Sequence, residues 1–396
     1  MIVNLKFSLF VFVTASCITK ICAEEMKVMC YFTSWAWYRS DIGKFLPQNI
    51  NASLCTHVLY AFAALDKTTL TITTADSWAD TDNSFYSQIT AFKDQGVYPV
   101  LSLGGWNESE GDKYSRLVNN ATARKNFINH SIKYLLKYNF TGLELDWEYP
   151  KCWQGNCTAG PKSDKRNFGV FCKELSASYK KYNLTVSAAV SAGKTKIDEG
   201  YDVPVLSAAL DWINVMTYDY HSSADGVTGA NAPIFDFKGY AVAQSMLYWE
   251  YKGAKRSKLN VGVPFYAQTF TLKHKSNNCI GAPTKGPGTA GPYTKNPGTV
   301  AYYEVCLRVK NEGWYSESTW TDGTYAFKDN QWMSYLDVGD LEDTAWLVKK
   351  RKYGGTFFWA LDYDDFTNSC GCGYYPLLTT LNRELGRINN PRVQCY

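Results

Sequence analysis

Eight short runs of β-branched and aromatic residues constrain the fold of this chain more than any other feature. They occupy residues 27–32, 55–63, 97–105, 140–148, 184–190, 210–220, 258–266 and 354–361. Amphipathic helical patterns such as 123–138, 166–182 and 339–352 lie between several of them. Short apolar runs of this kind suit strands buried on both faces, and parallel strands need helical crossovers to pair. The alternation therefore predicts an α/β fold, a (β/α)8 TIM barrel, although the weaker runs also allow seven or nine strands. The gap before the last run is longer than a crossover needs. Residues 267 to about 338 hold GAPTKGPGTAGPYTKNPG and then VAYYEVC. That is too long for a bare loop, so a small α+β domain is expected at 267–338, between the seventh and eighth strands. A chain of 396 residues could hold this barrel with its insertion, or two separate domains.

The first residues, MIVNLKFSLFVFVTASCITKICA, read as a secretory leader. Lys6 is followed by an apolar run to Ile18, and the small Ala23 marks the expected cleavage point, leaving 24–396 as the mature barrel chain. No later stretch reaches about 18 uninterrupted apolar residues, so a soluble, secreted protein without a membrane span is expected. Ten of the 12 cysteines lie beyond the leader, and an even number in a secreted chain favours disulfides over zinc. The four histidines stand at no metal-ligand spacing with cysteine, so neither metal nor cofactor is expected. Sequons at Asn51, Asn107, Asn120, Asn129, Asn139, Asn156 and Asn183 agree with a glycoprotein. The net charge of +4 includes no basic cluster suited to nucleic acid; Lys349-Lys350-Arg351-Lys352 reads as the solvated end of a helix. A monomer is expected.

Chemistry is concentrated in TGLELDWEYP, residues 141–150, where Glu144, Asp146 and Glu148 alternate with Leu145 and Trp147. On a strand, period two puts the three carboxylates on one face, where like charges repel. Either that face is solvated, or the crowding serves to hold a proton. Barrel enzymes place function at the C-terminal strand ends. Here those ends carry Tyr31, Phe62, Gly104-Gly105-Trp106, Asp146 to Tyr149, Met216 to Tyr220, Tyr266 and Trp359, which marks seven of the eight rims. Aromatic rings around carboxylates suit a groove that binds and cleaves sugars. Core packing serves equally well for Tyr31, Phe62, Met216, Trp35 and Trp37.

Six stretches taken in order, CYFTSWAWYR (30–39), LSLGGW (101–106), LELDWEYP (143–150), NVMTYDYH (214–221), VGVPFY (261–266) and FFWALDYDDF (357–366), together resemble the family 18 glycoside hydrolases. The resemblance is greatest to animal chitinases and their chitinase-like relatives, and it runs from about residue 27 to 385. It implies retaining hydrolysis of β-1,4-linked N-acetylglucosamine polymers, with the sugar's own acetamide oxygen as nucleophile. By that resemblance Glu148 is the proton donor, Asp146 orients the acetamide, Tyr218 hydrogen-bonds the developing oxazolinium, and Glu144 is the inner partner of Asp146. Tyr31, Phe62, Trp35, Gly105, Trp106, Tyr149, Met216, Asp219, Tyr266 and Trp359 match the subsite lining, with Trp359 as the floor. Cys30 would pair with Cys55, and Cys306 with Cys370 or Cys372. Cys152 and Cys157 would either staple a small loop or wall the groove.

The family pattern D-G-x-D-x-D-W-E is altered here at Thr141 and Glu144. An extra methylene in a packed interior commonly costs about 1–3 kcal/mol, so slower turnover is expected. Ala224 stands where the family has Trp, Ala267-Gln268 where it has Gly-Arg, and Ala230 where it usually has His. These changes leave three readings: a secreted chitinase, a chitinase-like lectin or growth or immune factor with little turnover, and a relative that cuts N-glycans. No separate chitin-binding module is seen, so soluble or loosened chitin is the expected substrate.

Overall fold

In a computed structural model, residues 26–236, 241–319 and 323–395 are described; the expected leader lies outside them. All eight expected runs are strands: β1 (Lys27–Thr33), β2 (His57–Leu65), β4 (Tyr98–Gly104), β5 (Gly142–Asp146), β6 (Thr185–Ser191), β7 (Trp212–Met216), β8 (Leu259–Pro264) and β15 (Gly355–Trp359), with a short β3 (Ile72–Thr74) antiparallel on β2. The eight pair in parallel in sequence order, and β1 closes the barrel by pairing with both β2 and β15. Both faces of each strand are covered, which explains why the runs read as continuously apolar. Met29, Leu59, Val100, Trp212 and Phe357 fill the barrel, while a larger cluster lies between the strands and the helices.

The helices Ala121–Lys137, Ser163–Tyr179 and Val338–Arg351 follow the expected amphipathic segments. Asn120 caps the first by accepting from Thr122 N and Ala123 N, and Asp337 caps the third from Gly339 N and Asp340 N. Lys349, Lys350 and Arg351 fall in the last turn of the third, where cations complement the helix dipole.

Five strands end earlier than expected, and two of these shortened ends shape the site. The fourth run (β5) stops at Asp146 rather than Glu148, because Gly105 N takes the Asp146 carbonyl at 2.8 Å as β4 turns away. The sixth run (β7) stops at Met216, where Thr217 N donates to the Val215 carbonyl and the chain folds over, with Asp219 at φ 57. Glu148, Tyr218 and Asp219 therefore stand on loops above the barrel, and only Glu144 and Asp146 lie on β5.

The insertion between β8 and β15 is an antiparallel sheet with one helix. Its strands are β9 (Tyr266–Leu272), β10 (Thr284–Pro287), β11 (Thr299–Ala301), β12 (Tyr315–Thr319), β13 (Gly323–Lys328) and β14 (Gln331–Tyr335). They run in the order β10-β9-β14-β13-β12 with β11 also on β9, beside the helix Tyr302–Asn311. Phe270, Leu272, Tyr325 and Trp332 form its own core. Disulfides join Cys30 to Cys55, Cys152 to Cys157, Cys306 to Cys370 and Cys372 to Cys395. The third ties the insertion helix to the segment after β15. Among the described residues Cys172, buried in a helix, and Cys279, exposed on the insertion, are free, so an even number of cysteines did not mean full pairing.

Candidate active site

The site is assembled where β4 and β5 end. Gly104 and Gly105 have φ values of 125 and 88, and a Cβ on Gly104 would lie 2.1 Å from the Asp146 carbonyl. One on Gly105 would lie 2.6 Å from the Phe62 ring, so only glycines let β4 press against these groups. Ser109 follows, fully buried; its Oγ accepts from Glu148 N at 2.9 Å and donates to the Asp146 carbonyl at 3.3 Å. In the sequence Ser109 is visible only as the last residue of the Asn107 sequon, yet it holds the backbone between the two carboxyls. Trp147 turns outward and stacks on Tyr114 at 5.7 Å, which leaves Asp146 and Glu148 facing the groove. The peptide bonds Ala61–Phe62, Glu148–Tyr149 and Trp359–Ala360 at these strand ends are cis.

Glu144 lies deeper, inside the barrel. It accepts from the Tyr31 hydroxyl, from Ser187 Oγ at 3.2 Å and from Asn214 Nδ2 at 2.6 Å. The longer side chain is thus accommodated by three donors from three other strands. Burial pushes its pKa up to about 7, against the lowering effect of those bonds. Asp146 is raised well above the usual carboxyl range, first by burial and then by the charges of Glu148 and Glu144. Its Oδ1 has no hydrogen-bond partner among the described residues. Burial also pushes Glu148 up to about 7; Tyr149 lowers it, Asp219 raises it and Lys196 lowers it. Tyr218 is raised well above 10 by burial and the surrounding carboxylates, so its hydroxyl stays a neutral donor. Asp219 accepts from the Tyr266 hydroxyl at 2.7 Å and from Gln268 Nε2 at 2.6 Å.

Asp146, Glu148, Tyr218 and Asp219 face one groove of ≈ 740 Å³. Tyr31, Phe62, Gly105, Trp106, Tyr149 and Met216 line it, with Asp219 and Trp359 and the three groups Asp146, Glu148 and Tyr218. Phe62 and Trp359 stack at 5.6 Å and 19°. Three expected site residues lie elsewhere. Glu144 is below the groove, Tyr266 is behind Asp219, and Trp35 stands at the rim, stacked on Phe62 at 5.9 Å. The Cys152–Cys157 loop is stapled beside the groove, where Gln154 Nε2 donates to the Trp106 carbonyl, and it does not itself line the groove.

The segment 191–196 at the end of β6 was missed, as was Ser222, while Gln268, expected on the groove as the replacement of a family cation, does line it. The end of β6 is the one rim without an aromatic or acidic marker; Lys194 and Lys196 directly after it were the available signal. Lys196 is half-buried, with its Nζ 5.3 Å from the Tyr149 ring centroid.

The buried carboxyls also set how stability responds to pH. Asp80 is pushed up to about 6, Glu144, Glu148 and Asp364 to about 7, and Asp340 to about 8, in each case first by burial. Each binds its proton more tightly folded than unfolded, so its stabilisation is full below the ordinary carboxyl pKa of about 4. That stabilisation is lost as pH rises through the folded values. The calorimetric Tm is therefore expected to fall between pH 5 and pH 8; a Tm that rises over this interval refutes the assignment.

The sequence model of glycosyl hydrolases family 18 matches residues 27–364. The chain belongs to this family. As a family 18 member it is 46% identical over 369 residues to a Drosophila melanogaster protein named probable chitinase 10, covering 91% of this chain and 16% of that protein. The chain thus spans about a sixth of that relative's length. Catalytic domain 2 of a Group II chitinase from Ostrinia furnacalis, a mutant in complex with penta-N-acetylchitooctaose, superimposes with a TM-score of 0.92 at 47% identity over 94% of this chain and 99% of that one. Human YKL-39, described as a pseudo-chitinase with retained chitooligosaccharide binding, superimposes with a TM-score of 0.83 at 34% identity, over 91% of this chain and 100% of that one. Among the described residues, no helix of this family 18 chain is long and apolar enough to cross a membrane.

Proposed function

We propose that the chain is a chitinase: it cleaves β-1,4 linkages between N-acetylglucosamine units with retention, using the substrate's acetamide oxygen as nucleophile. The observation that carries this reading is the pair of a buried Asp146 and a half-buried Glu148, both raised and facing one groove beside Tyr218. A carboxyl near 7 keeps its proton in mild acid and can give it to the leaving glycosidic oxygen. Asp146, with its Oδ1 unpartnered, can accept from the acetamide N–H and turn its carbonyl oxygen toward the anomeric carbon. The neutral Tyr218 hydroxyl can donate to that oxygen. The bond to the leaving group breaks as the oxazolinium ring closes; the charge that develops on the ring lies beside Asp146. Glu148, now ionised, then takes a proton from water, and the water opens the ring. The stacked Phe62 and Trp359 supply an apolar face beneath the sugar. The chitinase names of the fly and moth relatives support this substrate class. A leader cleaved after Ala23 and a secreted, monomeric mature chain belong to the same reading, which the four disulfides support.

A second reading, oligosaccharide binding with little turnover, is favoured by Gln268. A neutral amide holds Asp219 where the family pattern has a cation, and the human relative shows that this fold can bind without cleaving. Release of a fluorescent group from chitobiose and chitotriose conjugates, followed across pH, separates the two. Turnover is expected to fall above about pH 7 as Glu148 ionises. Lys196→Met removes a cation that lowers Glu148, so this alkaline limb is expected to move to higher pH. A limb that stays in place shows that Lys196 does not act on the acid. No turnover, with binding still visible by calorimetry, favours the second reading.

A further inference from the structure

One cation on the groove has no counter-ion. The helix Lys194–Gly200 follows the end of β6, and both Lys194 and Lys196 line the groove. Lys194 is paired with Asp198 at 2.7 Å, one helical turn on. Among the described residues Lys196 makes neither an ion pair nor a hydrogen bond; its ammonium stands over the Tyr149 ring, 5.3 Å from the centroid. Its stem lies against the stapled Cys152–Cys157 loop. A Cβ on Gly155 would lie 3.5 Å from Cε and 3.7 Å from Nζ of Lys196, and 3.8 Å from the Trp106 ring. Lysine that gives up part of its hydration is ordinarily paired. A half-buried ammonium with three donors and only an aromatic face beside it leaves those donors to a ligand.

The neighbours of Lys196 also decide which part of a ligand it meets. Phe62, Tyr31 and Trp35 surround Trp359, the floor under the sugar whose anomeric carbon reacts. Lys196 keeps instead to Tyr149, Gly155 and Trp106, with Glu148 close enough to feel its charge. Glu148 gives its proton to the oxygen of the departing sugar, so Lys196 belongs to the departing side of the scissile bond. The other ionisable groups facing that part of the groove are Asp146, Glu148 and Asp219. Burial raises all three, so in mild acid they carry less negative charge than exposed carboxyls would. The acetamide of an N-acetylglucosamine unit is neutral and offers a carbonyl acceptor. The free amine of a deacetylated unit is a cation in mild acid and offers none.

We propose that Lys196 is a specificity-determining residue, admitting an N-acetylated sugar on the leaving side of the scissile bond and rejecting a deacetylated one. It donates to the acetamide carbonyl of the first and repels the ammonium of the second. This rests on the reading of the groove given above. The acetamide nucleophile already requires acetylation of the sugar on the other side of that bond. The preferred substrate is therefore a chain acetylated at two successive units, and partly deacetylated chitin is cut within its acetylated blocks.

The test digests partly deacetylated chitin in mild acid. The leaving sugar becomes the new non-reducing end, so sequencing the products by mass spectrometry counts acetylated against deacetylated units there. In the wild type acetylated ends are expected to be enriched over the polymer about fivefold or more, the effect of two unit charges ~4 Å apart in water alone. Lys196→Met keeps the stem without the charge and is expected to abolish the enrichment. Lys196→Glu is expected to reverse it, and Lys196→Arg to keep it. A change in the acidity of Glu148 alters the rate at both kinds of site together and leaves the enrichment unmoved. A wild type that cleaves without enrichment overturns the inference alone, as does a Lys196→Met variant that keeps it. A loss in Lys196→Arg equal to that in Lys196→Met does the same. A wild type that cuts neither this polymer nor fully acetylated oligosaccharides overturns the reading of the groove as well.

Discussion

Glu148→Gln is expected to lower turnover of a chitotriose conjugate by about 10²–10⁴-fold, the usual contribution of a positioned acid. The amide keeps the shape of the side chain and the backbone bond to Ser109, so the groove should keep its form. What it lacks is the proton. Oligosaccharide affinity by calorimetry is expected to change only a few-fold, because Phe62, Trp106 and Trp359 still face the sugar. The substitution also removes a carboxyl that raises Asp146, so Asp146 should ionise at lower pH in the variant. If turnover survives within about tenfold of wild type, Glu148 is not the acid, and the assignment falls with it.

Asp362→Ala is expected to destabilise the fold by about 3–5 kcal/mol, the usual loss on removing one partner of a buried ion pair. Asp362 is fully buried, accepting from Arg39 Nη1 at 2.5 Å and from Thr33 Oγ1 at 2.7 Å. Burial lowers the Arg39 pKa, and Asp362, with smaller contributions from Tyr363 and Tyr303, more than offsets it. Without the carboxylate, the guanidinium stays enclosed over the Tyr363 ring with its counter-charge gone. The pair ties the segment after β1 to the turn after β15, the two ends of the barrel's closure. A fall in Tm on the order of 5–10 °C should follow. Adding Arg39→Met should recover part of it, since the orphaned charge is then removed as well. A single variant with unchanged Tm would show that the pair contributes nothing.

The architecture was legible because each level of the sequence agreed with it. The eight apolar runs became the eight strands, and the long gap between the last two became the insertion. Where strand ends were misjudged, at Glu148 and at residues 217–220, the apolar alternation continues past the last ladder bond. Composition does not register that β4 turns away at Gly105 or that Thr217 closes a tight turn. The carboxylates announced themselves by crowding at one strand end. Ser109 and Lys196 did not, since serine and lysine are ordinary surface residues until a neighbouring loop places them.

By itself the sequence determined the periodicities, the strand order those periodicities allow, and which carboxylates could share a face. These are local properties of a chain whose side chains alternate every second residue. Only the tertiary structure decided the partners. Barrel closure brings Tyr31, Ser187 and Asn214 around Glu144 from positions 113, 43 and 70 residues away, and so settles how the longer side chain is held. Among the described residues the same closure leaves Asp146 Oδ1 unpartnered at the mouth. No pattern along the chain specifies such meetings, because they depend on which strands become neighbours and on where each loop comes to rest.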